Sequence, residues 1–296
     1  MPFKTIHFII NPASGQQEPI LSYLNSAFAD TGIDWEIRVT KKADDAPRIA
    51  GELVGKTDLV AVYGGDGSVA QVAQVLRGTG TPMAIIPGGT ANVVSKELGI
   101  PQPAPQALEL LKGDAFEVIQ MDMAEVNGVP FLIRVNFGIM ADMVIEASRE
   151  LKDKVGQLAY GITALKTMAA SRPVSYRMTI DGAEVIQSGV ALTVTNCGSI
   201  GIGNYSFLPD ISITDGLLDV LLLQEASLLS VLKVTGTTLL HTGSEVVLHW
   251  PCREVKIHFA QPEACIVDDF EHTAQLLHIK VLPGALKVVV PKKKTT

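Results

Sequence analysis

Three short segments carry residues that could do chemistry. They are Asn11-Pro12-Ala13-Ser14-Gly15, Gly64-Gly65-Asp66-Gly67-Ser68 and Pro87-Gly88-Gly89-Thr90-Ala91-Asn92. Glycine tolerates positive φ and lets a backbone come close to a ligand, so such turns can aim their amides at an anion. A helix that starts at each turn would add the partial positive charge of its N-terminus, which favours phosphate. Ser14, Ser68 and Thr90 add hydroxyl donors. Asp66 has no basic neighbour in sequence, and a Mg2+ bridging it to phosphate oxygens accounts for a carboxylate there. Any one of these segments could be an ordinary βα turn. Three of them, two with paired glycines, point to a polyphosphate site linked to a metal. None holds the Gly-Lys-Ser/Thr of a Walker loop or a GxGxxG dinucleotide fingerprint.

Such loops need a scaffold that delivers them to one place. Thr5–Ile10, Asp34–Val39, Asp58–Val62 and Met83–Ile86 read as strands, and Pro19–Asp30, Asp44–Leu53 and Val69–Leu76 as helices. Alternation of this kind predicts a parallel sheet covered by helices, with strands apolar on both faces. The loops after its strands leave from the carboxyl edge, where ligands bind. After about Val118 strands follow one another: Met121–Val126, Phe131–Phe137, Ser175–Ile180, Ser188–Asn196, Leu217–Leu223, Glu245–His249, Arg253–Phe259 and Leu276–Val281. Asn127-Gly128 and Asp181-Gly182 suit tight hairpins between them. Helical stretches interrupt at Ala141–Met168 and Ser227–His241, and Val288–Val290 is expected to pair back onto the first domain. The expected fold is an α/β N-terminal domain with a parallel sheet at residues 1–119, completed by 287–296, and a C-terminal β-rich sandwich at 120–286.

Composition narrows the function class. Of 296 residues 47% are hydrophobic and 19% charged, which excludes a disordered chain. Apolar runs are broken by Gly, Asp, Pro or Lys well before the ~18–20 residues a spanning helix needs. The start lacks a signal-peptide layout. A cytoplasmic protein is expected. The net charge of −7 speaks against a nucleic-acid partner. Lys292-Lys293-Lys294 reads as a frayed terminus, with an anionic surface as the other use. Cys197, Cys252 and Cys265 are scattered, so neither a disulfide framework nor a zinc site is indicated. The apolar fraction permits a homodimer without requiring one.

The three glycine segments together resemble the diacylglycerol kinase catalytic-domain family, which includes sphingosine and ceramide kinases and soluble bacterial lipid kinases. The resemblance continues through Met121-Asp122-Met123, Phe137-Gly138-Ile139, Pro209 to Asp219 and Leu282-Pro283-Gly284-Ala285-Leu286, and so covers nearly the whole chain. It implies a phosphofructokinase/NAD kinase-like first domain, ATP in a cleft beside the β-rich domain, and a catalytic Mg2+. Carried over by motif, nucleotide contacts come from Asn11, Pro12, Ser14, Gly15, Gly64, Gly65, Asp66, Gly67, Ser68, Val69, Ala70, Gly88, Gly89, Thr90 and Asn92, with Thr40 after the second strand.

The family's catalytic acid lies in an Asp-Gly-Glu motif. Val267-Asp268-Asp269-Phe270-Glu271, aligned on Leu282-Pro283-Gly284, puts Asp269 and Glu271 on the two acids and Phe270 where glycine is usual. Phenylalanine does not freely take positive φ, so either the turn differs or this position never needs that conformation. Transfer of phosphate to an alcohol needs an acceptor for the hydroxyl proton, and Glu271 is the expected base. Asp122 is the partner acid that the resemblance implies. The plain alternatives are a solvated hairpin tip for Asp268, Asp269 and Glu271, and an edge-strand acid for Asp122. The resemblance further implies a structural Mg2+ held by the Asp215 side chain and the carbonyls of Ser212 and Leu217, with Thr214 where the family often has another acid. An Asp-Gly hairpin turn predicts the same backbone without metal.

A lipid kinase must take its acceptor from a bilayer, so it is expected to visit the membrane surface. Apolar residues along Phe137–Ile145, Leu158–Ile162 and Leu165–Met168, and the stretch Leu228–Leu240, suit lipid tails or an ordinary helix core. The sequence does not name the lipid. Two alternatives stay open: an NAD kinase-like small-molecule kinase, which shares Gly-Gly-Asp-Gly, and a non-catalytic lipid-binding homologue, to which Ser68 and Phe270 lend their support.

Overall fold

The computed structural model describes residues 3–14, 18–138, 173–199, 206–224 and 247–292. The stretches expected to be helical at Ala141–Met168 and Ser227–His241, with the apolar runs from residue 139 to 168, lie outside them. The described chain forms two compact units. One holds residues 1–123, 199–204 and 283–296, and the other 124–198 and 205–282.

In the first unit β1 (Thr5–Ile10), β2 (Asp34–Val39), β3 (Leu59–Gly64) and β4 (Met83–Pro87) alternate with α1 (Ile20–Phe28), α2 (Asp45–Leu53) and α3 (Asp66–Leu76). The strands lie in the order β2-β1-β3-β4, all parallel. Every residue of β3 and β4 is buried, as expected of strands covered on both faces. The helices bury stripes at helical spacing: Ile20, Leu24, Ala27 and Phe28 on α1, and Val69, Val72, Ala73 and Leu76 on α3. Two short helices that the hydrophobic period does not reveal follow, α4 (Val93–Glu97) and α5 (Ala104–Leu110). The run Pro101-Gln102-Pro103-Ala104-Pro105 looks like a loop, yet it starts α5, because a first helical turn has no need of the amide that proline lacks.

The second unit is antiparallel. It is built from the end of β5 (Phe116–Val126), β6 (Val129–Phe131), β7 (Arg134–Gly138), β8 (Val174–Ile180), β9 (Ala183–Gly189), β10 (Ala191–Thr195), β11 (Leu218–Leu223), β12 (Val247–Cys252), β13 (Glu254–Val267) and the start of β14 (Phe270–Pro291). β13 changes partner along its length. Val255–His258 pair with β8 and Cys265–Val267 pair with β7, with an irregularity between His258 and Glu263. A bulge of this kind bends a strand, and here it lets β13 pair with β8 at one end and β7 at the other. The core of this unit packs Tyr176, Met178, Val255 and Ile257 with Val135, Phe137, Leu192, Val194, Val220 and Leu222. The end of β14 returns to the first unit, where Val288 pairs in parallel with Met83 of β4.

Three hairpins of this unit use one device. Asn127, Asp181 and Asp268 take positive φ at the first turn position. Each then reaches across to another strand or loop with its side chain. Asn127 Oδ1 accepts the His278 N–H, and Asp181 accepts those of Arg253 and Glu254. Asp268 does the same with three amides. Short polar side chains tolerate the left-handed region and can bond to nearby backbone, which explains the residue choice.

Candidate functional site

The three glycine loops follow β1, β3 and β4 and meet at the carboxyl edge of the parallel sheet. Their meeting is held by backbone contacts. The Asn11 N–H donates to the Tyr63 carbonyl at 3.1 Å, and the Gly88 N–H to the Gly64 carbonyl at 2.9 Å. Gly65 and Gly89 touch through their backbones: a Cβ built on Gly89 would lie 2.5 Å from Gly65 Cα. Gly89 is therefore required by the approach of one loop to another, and a Cβ on Gly65 would come within 3.3 Å of Gly89 Cα.

Side chains complete the join. The Asn11 Nδ2 amide donates to Ser68 Oγ at 2.9 Å, linking the first loop to the second. Asn92 takes φ 50° before α4, and it trades hydrogen bonds with the Gly89 backbone at 2.9 and 3.0 Å. Its side chain is thereby committed to shaping the third loop. Asp66 Oδ1 accepts the Val94 N–H at 3.2 Å, so the carboxylate that sequence leaves without a partner ties α3 to the start of α4.

A cavity of about 640 Å³ opens in front of these loops. Asn11, Pro12, Ser14, Gly65, Gly67 and Ser68 stand in its wall, together with Thr40. Thr40 is buried, and both its amide and its hydroxyl donate to the Ile10 carbonyl. Its side chain thus fastens the end of β2 to β1. Val69 and Ala70 are buried on α3 and can offer a ligand only backbone. Gly88, Gly89, Thr90 and Asn92 are not in that wall: Gly89 packs on Gly65, Gly88 on Tyr63, Asn92 bonds to Gly89, and Thr90 is exposed. Gly15 is outside the described residues.

Sequence reasoning missed two cations in this wall, Lys41 and Lys42. Both amides donate to Asp45 Oδ2, at 2.8 and 3.2 Å. The Lys41 N–H, followed by the Arg48 side chain, holds the Asp45 carboxyl below its usual range. The signal was present: these lysines follow β2 after Thr40, at the same carboxyl edge as the glycine loops.

Asp122 is buried in the first unit, and its Oδ1 accepts the Gly284 N–H at 2.7 Å. Gly284 has φ 57°, and a Cβ there would meet Gln120 Oε1 at 2.6 Å. The Met121-Asp122-Met123 and Pro283-Gly284 motifs are therefore partners in one local structure.

The acidic hairpin belongs to the second unit. Val267 pairs with Phe270, so the turn is the two residues Asp268-Asp269. Phe270 needs no glycine-like conformation: positive φ falls on Asp268, and Phe270 is the first, exposed residue of β14. Asp268 is also no solvated tip. Its carboxylate accepts the N–H groups of Leu132, Ile133 and Arg134 at 2.9, 2.8 and 3.1 Å. Burial pushes its carboxyl up, against these three bonds that favour the anion. Asp269 and Glu271 are exposed.

Cross-strand partners share a sheet face. Glu271 lies opposite Ile266, Ile266 opposite Asn136, and Asn136 opposite Thr193. Val267 and Cys265 belong to the core on the other face. Glu271 thus stands on a face with buried polar groups, where the Thr193 hydroxyl donates to Asn136 Oδ1 at 3.0 Å. Asp219, buried on this unit, contacts His249 Nε2 at 2.6 Å; burial raises its carboxyl above the ordinary value, opposed by His249.

In the Asp215 turn the Leu217 N–H donates to Asp215 Oδ1 at 3.0 Å, and the Thr214 N–H to Ser212 Oγ at 3.3 Å. Among the described residues no three His, Cys, Asp or Glu side chains gather as a metal cluster. No helix among them is long and apolar enough to cross a membrane.

Residues 5–126 match the family model of the diacylglycerol kinase catalytic domain, and residues 134–290 that of the YegS C-terminal NAD kinase beta sandwich-like domain. The chain belongs to the diacylglycerol kinase catalytic-domain family. This family member is 27% identical to a diacylglycerol kinase of Bacillus subtilis, over 98% of each chain. It is 30% identical to a diacylglycerol kinase of Mycobacterium tuberculosis, over 96% of this chain and 94% of that one. A crystal structure of a candidate diacylglycerol kinase from Bacillus anthracis matches it with a TM-score of 0.82 at 26% identity, covering 99% of each chain. At the family level it is a lipid kinase, hence a phosphotransferase, and its fold is the α/β domain plus β-rich domain of those relatives.

Proposed function

We propose that this lipid kinase transfers the γ-phosphoryl group of ATP to a hydroxyl of a diacylglycerol-like membrane lipid, working from the cytoplasm at the membrane surface. The observation that carries the reading is the Gly65–Gly89 contact. It sets the N-terminus of the 11-residue α3 beside a cavity of nucleotide size, with Asn11, Ser14 and Ser68 in the wall.

The donor set suits a nucleotide polyphosphate. The α3 N-terminus and the Ser68 and Ser14 hydroxyls would bind phosphate oxygens. Lys41 and Lys42 add positive charge at the rim. Asp66 would hold Mg2+: one of its oxygens receives the Val94 N–H, and a carboxylate has lone pairs for further ligands. When bound, Mg2+ would neutralise charge on the transferring phosphoryl group. The turn of Asp215, with the carbonyls of Ser212 and Leu217, offers oxygen donors of the kind a second, structural Mg2+ requires. Glu271 would accept the proton of the lipid hydroxyl, and Asp122 would hold the Pro283-Gly284 segment in place. Catalysis would then be mostly positioning and electrostatic stabilisation.

The test is γ-labelled ATP with vesicles carrying diacylglycerol, phosphatidylglycerol or a sphingoid base, and with NAD in solution. Labelled lipid supports the reading and names the acceptor. Label on NAD alone replaces it with an NAD kinase. ATP binding without any transfer replaces it with a non-catalytic homologue.

A further inference from the structure

Asn136 of β7 and Thr193 of β10 are 5% and 4% exposed. They lie opposite each other in the sheet. Their chain neighbours Val135, Phe137, Leu192 and Val194 belong to the core, so the pair stands on the other face. The Thr193 hydroxyl donates to Asn136 Oδ1 at 3.0 Å, which fixes the way the amide stands. Oδ1 is thereby occupied. The Nδ2 group, a donor of two hydrogens, has no acceptor among the described residues. Buried polar groups nearby are used differently. The Thr195 hydroxyl meets the carbonyls of Ile133 and Cys197, and the Asn196 amide donates to the Leu132 carbonyl. Those side chains hold backbone in place, and Asn136 holds none. A buried donor left over in this way points to a ligand that brings the acceptor.

The same row of the sheet leads to Glu271. Asn136 lies opposite Ile266, and Ile266 opposite Glu271. Two strand spacings, ~10 Å, therefore separate the backbone of Asn136 from that of Glu271. Ile266, between them, is buried and apolar. The row presents a carboxylate, an apolar side chain and an amide donor, in that order.

We propose that Asn136 determines acceptor specificity: its Nδ2 donates to an acyl carbonyl of the lipid, carried on the carbon beside the one that bears the reacting hydroxyl. Thr193 is its positioning residue. This rests on the reading of Glu271 as the base. In a diacylglycerol the carbon next to the CH2OH group bears an ester, whose carbonyl accepts the amide N–H. In a sphingoid base that carbon bears an ammonium, which has donors and no acceptor. A site built to hydrogen-bond one group rejects the analogue that lacks it, because its own polar group is left unpaired. Turning the amide over would suit the ammonium, but it would take the acceptor away from the Thr193 hydroxyl.

The test uses dioleoylglycerol and sphingosine, each in phosphatidylcholine vesicles, with γ-labelled ATP. Wild type should favour dioleoylglycerol about a hundredfold in kcat/KM. Thr193→Val frees the amide to turn and should narrow that preference about tenfold, while Thr193→Ser, which keeps the hydroxyl, should lie near wild type. Asn136→Asp replaces the donor with a second acceptor. It should raise the KM for dioleoylglycerol about tenfold or more and improve the use of sphingosine. The Kd for ATP in calorimetry should not change in any of the three. Equal use of the two lipids by wild type, or a preference for sphingosine, overturns the inference alone. So does an unchanged preference in Asn136→Asp with ATP binding intact. If Asn136→Asp fails to fold, the Thr193 pair decides, and equal preference in Thr193→Val and Thr193→Ser overturns the inference. Full activity in Glu271→Gln removes the base from this face, and this inference with it. Wild type that labels neither lipid overturns the lipid-kinase reading as well.

Discussion

Gly65 and Gly89 stand so close that a methyl group on the second would press 2.5 Å from the Cα of the first. Two loops that leave separate strands are thereby joined into one wall. The consequence is that motif glycines act partly on one another, and only some of them face the cavity.

Gly89→Ala is expected to cost about 1–3 kcal/mol of stability, because the atom in the way is backbone and cannot swing aside. ATP binding should weaken with it. Gly51→Ala is the contrast: a Cβ there meets only Val75 Cγ1 at 3.8 Å, in the body of α2. It should gain about 0.5–1 kcal/mol from helix propensity. Urea unfolding midpoints and calorimetric ATP titration measure both. Equal behaviour of the two variants would contradict the Gly65–Gly89 contact.

Asp268→Ala should lower stability by about 3 kcal/mol or more, since three backbone donors lose their acceptor. Asp268→Asn should lose less. One amide oxygen can keep the Ile133 and Arg134 bonds while the NH2 group faces the Leu132 N–H. Asp269→Ala, at the exposed neighbour that accepts none of these three bonds, should lose less than Asp268→Ala. Chemical denaturation of the three variants gives the order, and a larger loss at Asp269 would reverse the assignment.

Glu271→Gln should abolish phosphate transfer while ATP binding survives, because only the proton acceptor is removed. Asp66→Ala should weaken Mg·ATP binding and turnover together. Transfer assays beside calorimetry separate the two. Full activity in Glu271→Gln would move the base elsewhere, and unchanged Mg·ATP affinity in Asp66→Ala would remove that residue from the metal.

Asp45 makes stability depend on acid pH. Its carboxyl lies below the ordinary 3.8 when folded, through the Lys41 N–H and then Arg48. The unfolded chain therefore binds the proton more readily. The extra stability is present above the ordinary value and is lost as pH falls through the lowered folded one. Asp45→Asn should flatten that part of the profile. Unfolding midpoints from about pH 5 to pH 2 should converge for wild type and variant at the acid end. Parallel curves would show that Asp45 is not held in this way.

Contiguous pattern was enough for much of the fold. β1 and β2 run over Thr5–Ile10 and Asp34–Val39, as their alternation and turn residues predict. Asn127-Gly128 and Asp181-Gly182 turn their hairpins as read. Other elements left little local trace. α4 is five residues long, too short for a hydrophobic period, and β9 alternates exposed polar with half-buried residues. The long strands β13 and β14 look in sequence like shorter pieces, because partner changes and polar stretches interrupt their apolar pattern.

The candidate site divides along the same line. By itself the sequence determined that three glycine-rich segments follow successive strands and that their loops leave one sheet edge, since both follow from residue type and strand order. Only the tertiary structure decided that Asn92 shapes its own loop, that Asp66 reaches Val94, that Lys41 and Lys42 join the wall, and that positive φ falls on Asp268 and not Phe270. Periodicity and turn chemistry are properties of neighbours along the chain. Close approach and hydrogen bonding between distant loops exist only once packing has brought them together.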